Sequence, residues 1–405
     1  MSEYVVFKNA FLIDGTGREP TEGVTLIVSG DKVEDIYPNP PGAAVSRGRV
    51  FDLQGKTLMP GLIDAHVHPG NVEWHLNQTA KLPPAVYVHR VSRTLETDLK
   101  LGFTTLRDAA GLDSGFREAI EQGMIRGPRL LLSITPITQR EAGLKPEARN
   151  SLGIFPEVCS GPDEMGRAVL RTLKRGTDQI KVFADGEVVS QSRFDRTAPG
   201  EEKFTVDELA AAVAAASSAG SYVMAHAYSP AAIQNCLRAG IRSIEHGNLM
   251  DQQTAEMMAA RGAYWVPTLT VYDLLSKEGR AALDDFSAGK LALVAQKGME
   301  ALEKAFHAGV RIGSGSDIIG PLQHLKTREL VLKAEVMGAM GAIVSATGTN
   351  AELMGLSGQI GTLEPGKQAD LIVLDGNPLN DITLFESALD RVVLVMRGGQ
   401  ILKRL

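Results

Sequence analysis

Pro60-Gly61-Leu62-Ile63-Asp64-Ala65-His66-Val67-His68-Pro69-Gly70 is the most informative run of residues in this chain. Its apolar centre, residues 62–67, is typical of a buried β-strand. Successive side chains of a strand point to opposite faces, so His66 and His68 share one face while Val67 points to the other. Two imidazoles on one face at the end of a strand can hold a metal ion. A His-x-His spacing alone also arises by chance or in a satisfied core.

Around this run, short apolar segments alternate with helical patterns. The predicted strands are Leu62–His68, Phe103–Asp108, Arg129–Ser133, Gln179–Ala184, Tyr222–His226, Ser243–His246, Trp265–Leu269 and Val310–Ser314. The predicted helices include Val206–Ala219, Pro230–Ala239, Asp251–Arg261 and Leu291–Ala308. Thr205, with Glu208 three residues on, predicts a capping box at the start of the first of these helices. Eight apolar strands that alternate with helices predict an α/β fold, a distorted parallel (β/α)₈ TIM barrel.

Both ends of the chain have a different sequence pattern: short predicted strands, rich in β-branched residues, are separated by turns that contain Gly and Pro. Sequence-distant strands of this kind can bury one another's apolar faces. We therefore predict a small β-sandwich composed of residues 1–59 and 360–405, with the barrel formed by residues 60–359.

Composition limits the possible functions. The 405 residues are 44% apolar and 22% charged, and a net charge of -6 gives no basic footprint for nucleic acid. Cys159 and Cys236 are far apart, which argues against a disulfide framework and against a thiolate zinc site. No run reaches the ~18 apolar residues of a membrane span, and no secretory signal is evident. We expect a cytoplasmic protein that interacts with neither nucleic acid nor membrane.

Polar residues lie at the C-terminal ends of the predicted strands, where the chemistry of such a barrel takes place. Besides the two histidines of the first strand, these residues are Lys181, His226, His246 and Asp317. Each has an ordinary alternative: a lysine that reaches solvent, a core histidine, or an Asp that caps a helix. Together, four imidazoles and a carboxylate form a nitrogen and oxygen donor set that suits Zn²⁺ or a similar divalent ion.

With these motifs in place, the chain resembles the amidohydrolase superfamily, in its imidazolonepropionase-like and Xaa-Pro/Xaa-Arg dipeptidase branch. The resemblance covers nearly the whole length. It rests on the run at residues 60–68, Gly102–Asp108, Ile180–Gly186, Ala225–Tyr228, Ile244–Gly247, Gly315–Asp317 and Gly361–Leu374. Homo-oligomers are common in this family, so the resemblance also implies a homo-oligomer.

The resemblance implies a centre with two divalent metal ions. His66, His68 and Asp317 would hold the more buried ion, and His226 and His246 the second. Lys181 would bridge both as an Nζ-carboxylated lysine, because an ammonium group cannot ligate and would repel two cations.

The implied reaction is hydrolysis of an amide C–N bond by a hydroxide that bridges the two metals, with Asp317 as general base and then acid and Tyr228 as an oxyanion or substrate contact. The sequence around His226 lacks the His-x-x-Glu pattern of mononuclear deaminases, which leaves deamination as the runner-up among enzymes. A non-catalytic relative is disfavoured because every expected ligand is present.

The substrate is less well determined by the sequence. Tyr228 matches a carboxylate-binding tyrosine of the dipeptidase branch, but the third loop lacks the expected Gly-Gly-His. Arg140 could take that role or be a solvated loop arginine. Other candidate pocket residues are Trp74, His75, Tyr272 and His324. We expect a dipeptide-like or N-acyl amino acid substrate, and keep a carbamate, an anilide or a urea as the alternative.

Overall fold

The computed structural model describes residues 4–38, 48–74, 76–139, 156–186, 201–279 and 285–404. Strands β1–β5 are Tyr4–Leu12, Thr21–Ser29, Lys32–Pro38, Arg49–Asp52 and Thr57–Pro60. Strands β6–β15 are Leu62–Val67, Phe103–Asp108, Arg129–Leu131, Ile137–Gln139, Glu157–Cys159, Ile180–Phe183, Val223–Ala227, Ser243–His246, Tyr264–Val266 and Arg311–Ile312. Strands β16–β18 are Leu371–Leu374, Val392–Arg397 and Gln400–Arg404.

Helices occupy most of the connections between the central strands. Helices α1–α6 are Leu76–Thr79, Pro84–Lys100, Ser114–Glu121, Pro162–Leu173, Val206–Ser218 and Pro230–Ala239. Helices α7–α12 are Gln252–Arg261, Leu269–Leu274, Asp285–His307, Arg328–Ser345, Gly348–Leu353 and Ala388–Arg391. A π-helix covers Leu275–Gly279, and 3₁₀ helices cover Gly320–Leu325 and Ile382–Ser387. None of the helices in the described ranges combines the length and the apolar composition that a membrane span requires.

The central strands form two parallel sheets, in the orders β6-β7-β8 and β10-β9-β11-β12-β13-β14-β15. Backbone hydrogen bonds join them at two places: Asp178 N donates to Leu132 O, and Ala65 N donates to Ser314 O, both at 2.8 Å. Strands β6, β7, β12 and β13 are buried along their whole length, as expected when a parallel sheet is covered on both faces. The prediction of an α/β fold with parallel strands is confirmed.

Strands from both ends of the chain form a third sheet, in the order β18-β17-β16-β5-β1-β2-β3, with β4 paired to β1. Most neighbouring strands within this sheet pair in antiparallel fashion, and β16 pairs with β5 although the two are more than 300 residues apart in sequence. The sheet packs on the central strands through an apolar cluster that includes Ile372, Val392 and Val395 from the sheet and Leu62 and Phe103 from β6 and β7. Burial of each such side chain contributes about 1.5–3 kcal/mol.

The capping box predicted at the start of α5 is confirmed, and α6 is capped at both ends. Thr205 and Glu208 form the expected capping box of α5, a feature worth about 1 kcal/mol. Ser229 caps α6, which ends at Gly240 with a φ of 86°. The Ser229 side chain therefore fixes the start of α6 directly after the turn that follows β12. The predicted strand Trp265–Leu269 is shorter than expected, because β14 ends at Val266 and Leu269 already begins α8.

Candidate metal centre

Four histidines converge at the C-terminal ends of β6, β12 and β13. The ring centroids of His66 and His68 lie 5.4 Å apart, those of His66 and His246 lie 4.9 Å apart, and those of His226 and His246 lie 4.5 Å apart. All of these rings except that of His68 belong to residues that are at least nine-tenths buried. The structure thus brings together side chains that are up to 180 positions apart in sequence.

Asp317 faces three of these rings. Its Oδ1 lies 3.5 Å from Nε2 of His66 and 3.3 Å from Nε2 of His68, and its Oδ2 lies 3.7 Å from Nδ1 of His246. His66, His246 and Asp317 form a group whose ligand atoms all lie within 4.8 Å of one another. A divalent ion could be reached by these atoms together.

The other ring nitrogens of the first-strand histidines are held by acceptors of the protein. Nδ1 of His66 lies 2.7 Å from Oε2 of Glu245, and Nδ1 of His68 lies 2.6 Å from the Ala110 carbonyl. Such partners place the proton on Nδ1 and turn the lone pair of Nε2 toward Asp317. Metal-binding histidines are oriented in this way.

Burial keeps most of this cluster uncharged. The pKa values of His66, His226 and His246 lie well below their usual range, first because the rings are buried and then because neighbouring groups, Lys181 among them, are positive. Burial also acts on His68, but the Asp317 and Asp108 carboxylates outweigh it and raise its pKa. Neutral imidazoles are the form that binds a metal.

The donor set fits a divalent cation by an independent observation. Nε2 of His66 is buried and has no hydrogen-bond partner within the described parts of the chain. A buried polar atom without a partner is costly, so its presence calls for an explanation such as an ion. The neutral histidines and the carboxylate are the ligand types that zinc prefers.

Lys181 lies on β11 and is 1% exposed. Its Nζ is 5.4 Å from the ring centroid of Phe183, and the Phe183 ring lies 5.0 Å from that of His226. The structure therefore places this lysine beside the histidine cluster and away from solvent. The alternative of a lysine that reaches solvent is excluded.

The backbone at the centre is unusual. His246, Thr268 and Asp317 have φ values of 70°, 51° and 53°, in the left-handed region that residues other than glycine rarely adopt. Each costs of order 1–3 kcal/mol and persists only where the surrounding structure imposes it, often at functional sites. Thr268 Oγ1 lies 2.8 Å from Nδ1 of His246, so a side-chain hydrogen bond joins two of these three residues.

Two tyrosines line the side of the centre next to His246. The hydroxyls of Tyr228 and Tyr272 lie 2.8 Å apart, and Tyr272 OH lies 3.0 Å from Nδ1 of His246. The pKa values of both phenols are raised well above their usual value, mainly by burial, so both hydroxyls stay protonated. Trp74 packs against the apolar cluster that contains these tyrosines.

The remaining predicted pocket residues are His324, His75 and Arg140. His324 lies on the 3₁₀ helix after β15, is exposed, and its Nδ1 is 3.0 Å from the Pro321 carbonyl of the same turn. His75 and Arg140 lie outside the described residues.

Three buried carboxylates at the site were missed by sequence reasoning: Asp64, Asp185 and Glu245. Asp185 Oδ2 accepts hydrogen bonds from the backbone N–H groups of Tyr228 and Ser229, each at 3.0 Å. Their positions in the sequence were the available signal. Asp64 lies two residues before His66, Glu245 lies directly before His246, and Asp185 follows the strand of Lys181.

Asp64 holds the loop that carries Asp317. Its Oδ1 accepts from the backbone N–H of Ser316 at 3.0 Å, and its Oδ2 accepts from Ser316 Oγ at 2.6 Å. We expect Asp64→Asn to lower the free energy of unfolding by about 1–3 kcal/mol and to lower kcat by about 10-fold. Urea unfolding and steady-state kinetics measure the two effects.

The matched control is Asp370→Asn. Asp370 is a buried carboxylate directly before β16, and it accepts hydrogen bonds from Gly398 N and from the Arg129 side chain. This variant should lose stability and keep its kcat. An Asp64→Asn protein whose kcat equals that of the control would show that Asp64 contributes to stability alone.

Comparison with known proteins shows the family. The model of the amidohydrolase family matches residues 57–402. The chain belongs to the amidohydrolase family. This amidohydrolase is 30% identical to an ochratoxinase of Aspergillus niger over 97% of its own length and 85% of the relative. It is a hydrolase that acts on carbon–nitrogen bonds, and the predicted resemblance is confirmed.

Two solved structures extend the comparison. A prolidase complexed with N-methylphosphonate-L-proline superposes on this amidohydrolase with a TM-score of 0.93, at 35% identity over 99% of this chain and 100% of that one. A Xaa-Pro dipeptidase with bound methionine gives a TM-score of 0.87, at 28% identity over 98% and 99% of the two chains.

Proposed function

We propose that this amidohydrolase binds two divalent metal ions, with Zn²⁺ as the expected metal, and hydrolyses an amide bond next to a free carboxylate. The observation that carries the proposal is Nε2 of His66, which is buried in a converging set of imidazoles and has no hydrogen-bond partner in the described ranges. His66, His68 and Asp317 would hold the first ion, His226 and His246 the second, and Lys181, carboxylated at Nζ, both.

Two ions held there would supply Lewis-acid chemistry, which lowers the pKa of a water toward ~7 and polarises a carbonyl. Asp317, 18% exposed at its side chain, is open enough to receive a proton at a carboxylate oxygen and to return it to the leaving nitrogen. The protonated hydroxyl of Tyr228 can donate a hydrogen bond to the carbonyl oxygen as negative charge develops there.

We also propose that the chain forms two domains. The hydrogen bonds from Ala65 to Ser314 and from Asp178 to Leu132 support a closed, distorted (β/α)₈ barrel over residues 60–359. The sheet that unites both chain ends supports a composite β-sandwich domain of residues 1–59 and 360–405. We further propose a cytoplasmic homo-oligomer that acts on small molecules.

Two relatives support the proposed substrate class. One of them was solved with N-methylphosphonate-L-proline and another is a Xaa-Pro dipeptidase. Tyr228 and Arg140 are our candidates for contacts with the substrate carboxylate, and Trp74, His75, Tyr272 and His324 for the rest of the pocket. A carbamate, an anilide or a urea would be the substrate if no carboxylate is needed.

Matched substrates test this class. We expect the metal-loaded enzyme to cleave Xaa-Pro dipeptides or N-acyl amino acids about 10- to 100-fold better, in kcat/KM, than the same compounds with the carboxylate amidated. A hydrogen-bonded charge contributes about 1.5–3 kcal/mol, which gives this ratio. Arg140→Ala should reduce the preference.

The proposed class is wrong if the amidated and free compounds are cleaved equally. It is also wrong if phenylcarbamates, anilides or phenylureas without a carboxylate are the best substrates. Release of ammonia from an aminated ring with no amide cleavage would point to deamination.

A further inference from the structure

A network of buried polar groups lies beneath the histidine cluster. Glu245, Arg107 and Ser243 are each 0% exposed. Arg107 Nη2 donates to both carboxylate oxygens of Glu245, at 2.8 and 3.0 Å, and Ser243 Oγ donates to Oε1. The second oxygen, Oε2, also faces Nδ1 of His66 at 2.7 Å. Arg107 and Ser243 therefore both donate to this carboxylate, and the His66 ring is its third neighbour.

We propose that Glu245 is a positioning residue for metal binding, which holds His66 as the tautomer whose Nε2 is free to bind a cation. The proposal deepens the proposed function and rests on the metal centre described above. Arg107 and Ser243 would act through Glu245 by fixing the direction of its carboxylate.

Donor and acceptor chemistry determines the tautomer of His66. An ionised carboxylate can only accept hydrogen bonds, so the neutral ring of His66 must carry its proton on Nδ1. Its Nε2 then has a bare lone pair, and among the described residues this buried atom has no hydrogen-bond partner. With the opposite tautomer, Nε2 would carry a proton and could not ligate.

Arg107 also connects the network to the strand of the first metal ligands. Its Nε donates to the carbonyl of Ala65 at 2.5 Å, and Ala65 directly precedes His66. The guanidinium thus contacts both the backbone before the ligand and the carboxylate that orients its ring. A planar guanidinium suits this task because its donors have a fixed geometry.

A purely structural role for Glu245 makes a different prediction. If Glu245 only neutralised the buried Arg107, the tautomer of His66 would not depend on it. Glu245→Gln separates the two roles. Arg107 and Ser243 would hold the amide oxygen, which leaves the amide N–H to face Nδ1 of His66 and to force the proton onto Nε2.

The test is ¹⁵N NMR of the histidine rings in metal-free protein, with His66 assigned from a His66→Asn sample. We expect Nδ1–H in the wild type and Nε2–H in Glu245→Gln. Competition with a chelator should show Zn²⁺ affinity reduced about 10- to 100-fold in the variant. The control is Glu208→Gln, a buried carboxylate that accepts from Gly161 and Thr205. It should match the wild type in both readouts.

A second variant, Glu245→Asp, keeps the negative charge for Arg107 but shortens the reach toward His66. We expect it to remain folded and still to lose Zn²⁺ affinity. The inference is overturned if His66 keeps Nδ1–H in Glu245→Gln, or if Glu245→Asp binds Zn²⁺ as tightly as the wild type. Failure of the proposed function is separate: the wild type would hydrolyse no amide while the tautomer still inverted.

Discussion

Replacing Lys181 with methionine is expected to abolish hydrolysis and to reduce the amount of metal bound by the chain. Methionine fills a similar volume but cannot take up carbon dioxide, so it offers no oxygen to either ion. The loss of affinity should exceed the roughly 10- to 100-fold that removal of a ligand's hydrogen-bond partner costs. Metal analysis after dialysis, together with kcat/KM, measures the effect.

The matched control is Lys333→Met. Lys333 is also fully buried, and its ammonium donates to the Gly313 carbonyl at 2.7 Å and to Ser345. The substitution should lower stability and leave the metal content unchanged. Carbon dioxide gives a second readout, because metal reloading of the wild type should slow in buffer freed of bicarbonate. A Lys181→Met protein that binds metal and hydrolyses substrate normally would contradict the proposed bridge.

Asp317→Asn is expected to retain metal but to lower kcat by about 10²–10⁴-fold, the usual contribution of a general acid–base residue. The amide oxygen of asparagine can still face His66 and His68, where Asp317 Oδ1 now lies at 3.5 and 3.3 Å. It cannot, however, take a proton from water. Steady-state kinetics on fully metal-loaded protein measure the loss.

Two substrates separate the base and acid roles of Asp317. Release of an alkyl amine needs a proton on the leaving nitrogen, whereas release of p-nitroaniline needs it less. The loss in Asp317→Asn should therefore be greater for the alkyl amide. Equal losses would assign Asp317 to the base step alone, and an unchanged kcat with full metal content would remove it from proton transfer.

The sequence predicts the parallel strands and the convergence of the histidines with Asp317 well, for a physical reason. Buried parallel strands have continuous apolar runs, and their C-terminal ends meet at one edge. His66, His226 and His246 follow such runs, and their ring centroids lie within 5 Å of a neighbouring histidine. The capping box of Thr205 and Glu208 depends on local spacing and is likewise readable from the sequence.

Glu245 shows where the sequence fails. Regular alternation along β13 would point Glu245 and His246 to opposite faces. Yet both side chains reach His66: Glu245 contacts its Nδ1, and the His246 ring lies beside its ring. The φ of 70° at His246 departs from strand geometry and makes both contacts possible. Such a backbone conformation is imposed by tertiary packing and leaves no periodic trace.

The hydrogen bond between two of the candidate pocket residues could not be predicted from the sequence either. Tyr228 and Tyr272 come from different segments, and their hydrogen bond at 2.8 Å depends on how α8 packs beside β12. The short β14 illustrates the same limit, because an apolar run from Trp265 to Leu269 does not distinguish the end of a strand from the start of a helix.

The proposed function requires two metal ions that act together in one hydrolytic site. Its most direct test is to titrate Zn²⁺ into chelator-stripped protein while following both bound metal and hydrolysis of the best substrate. We predict that activity rises until two equivalents per chain are bound and then stops rising. Full activity at one equivalent, or hydrolysis by the stripped protein, would contradict the proposed two-metal site.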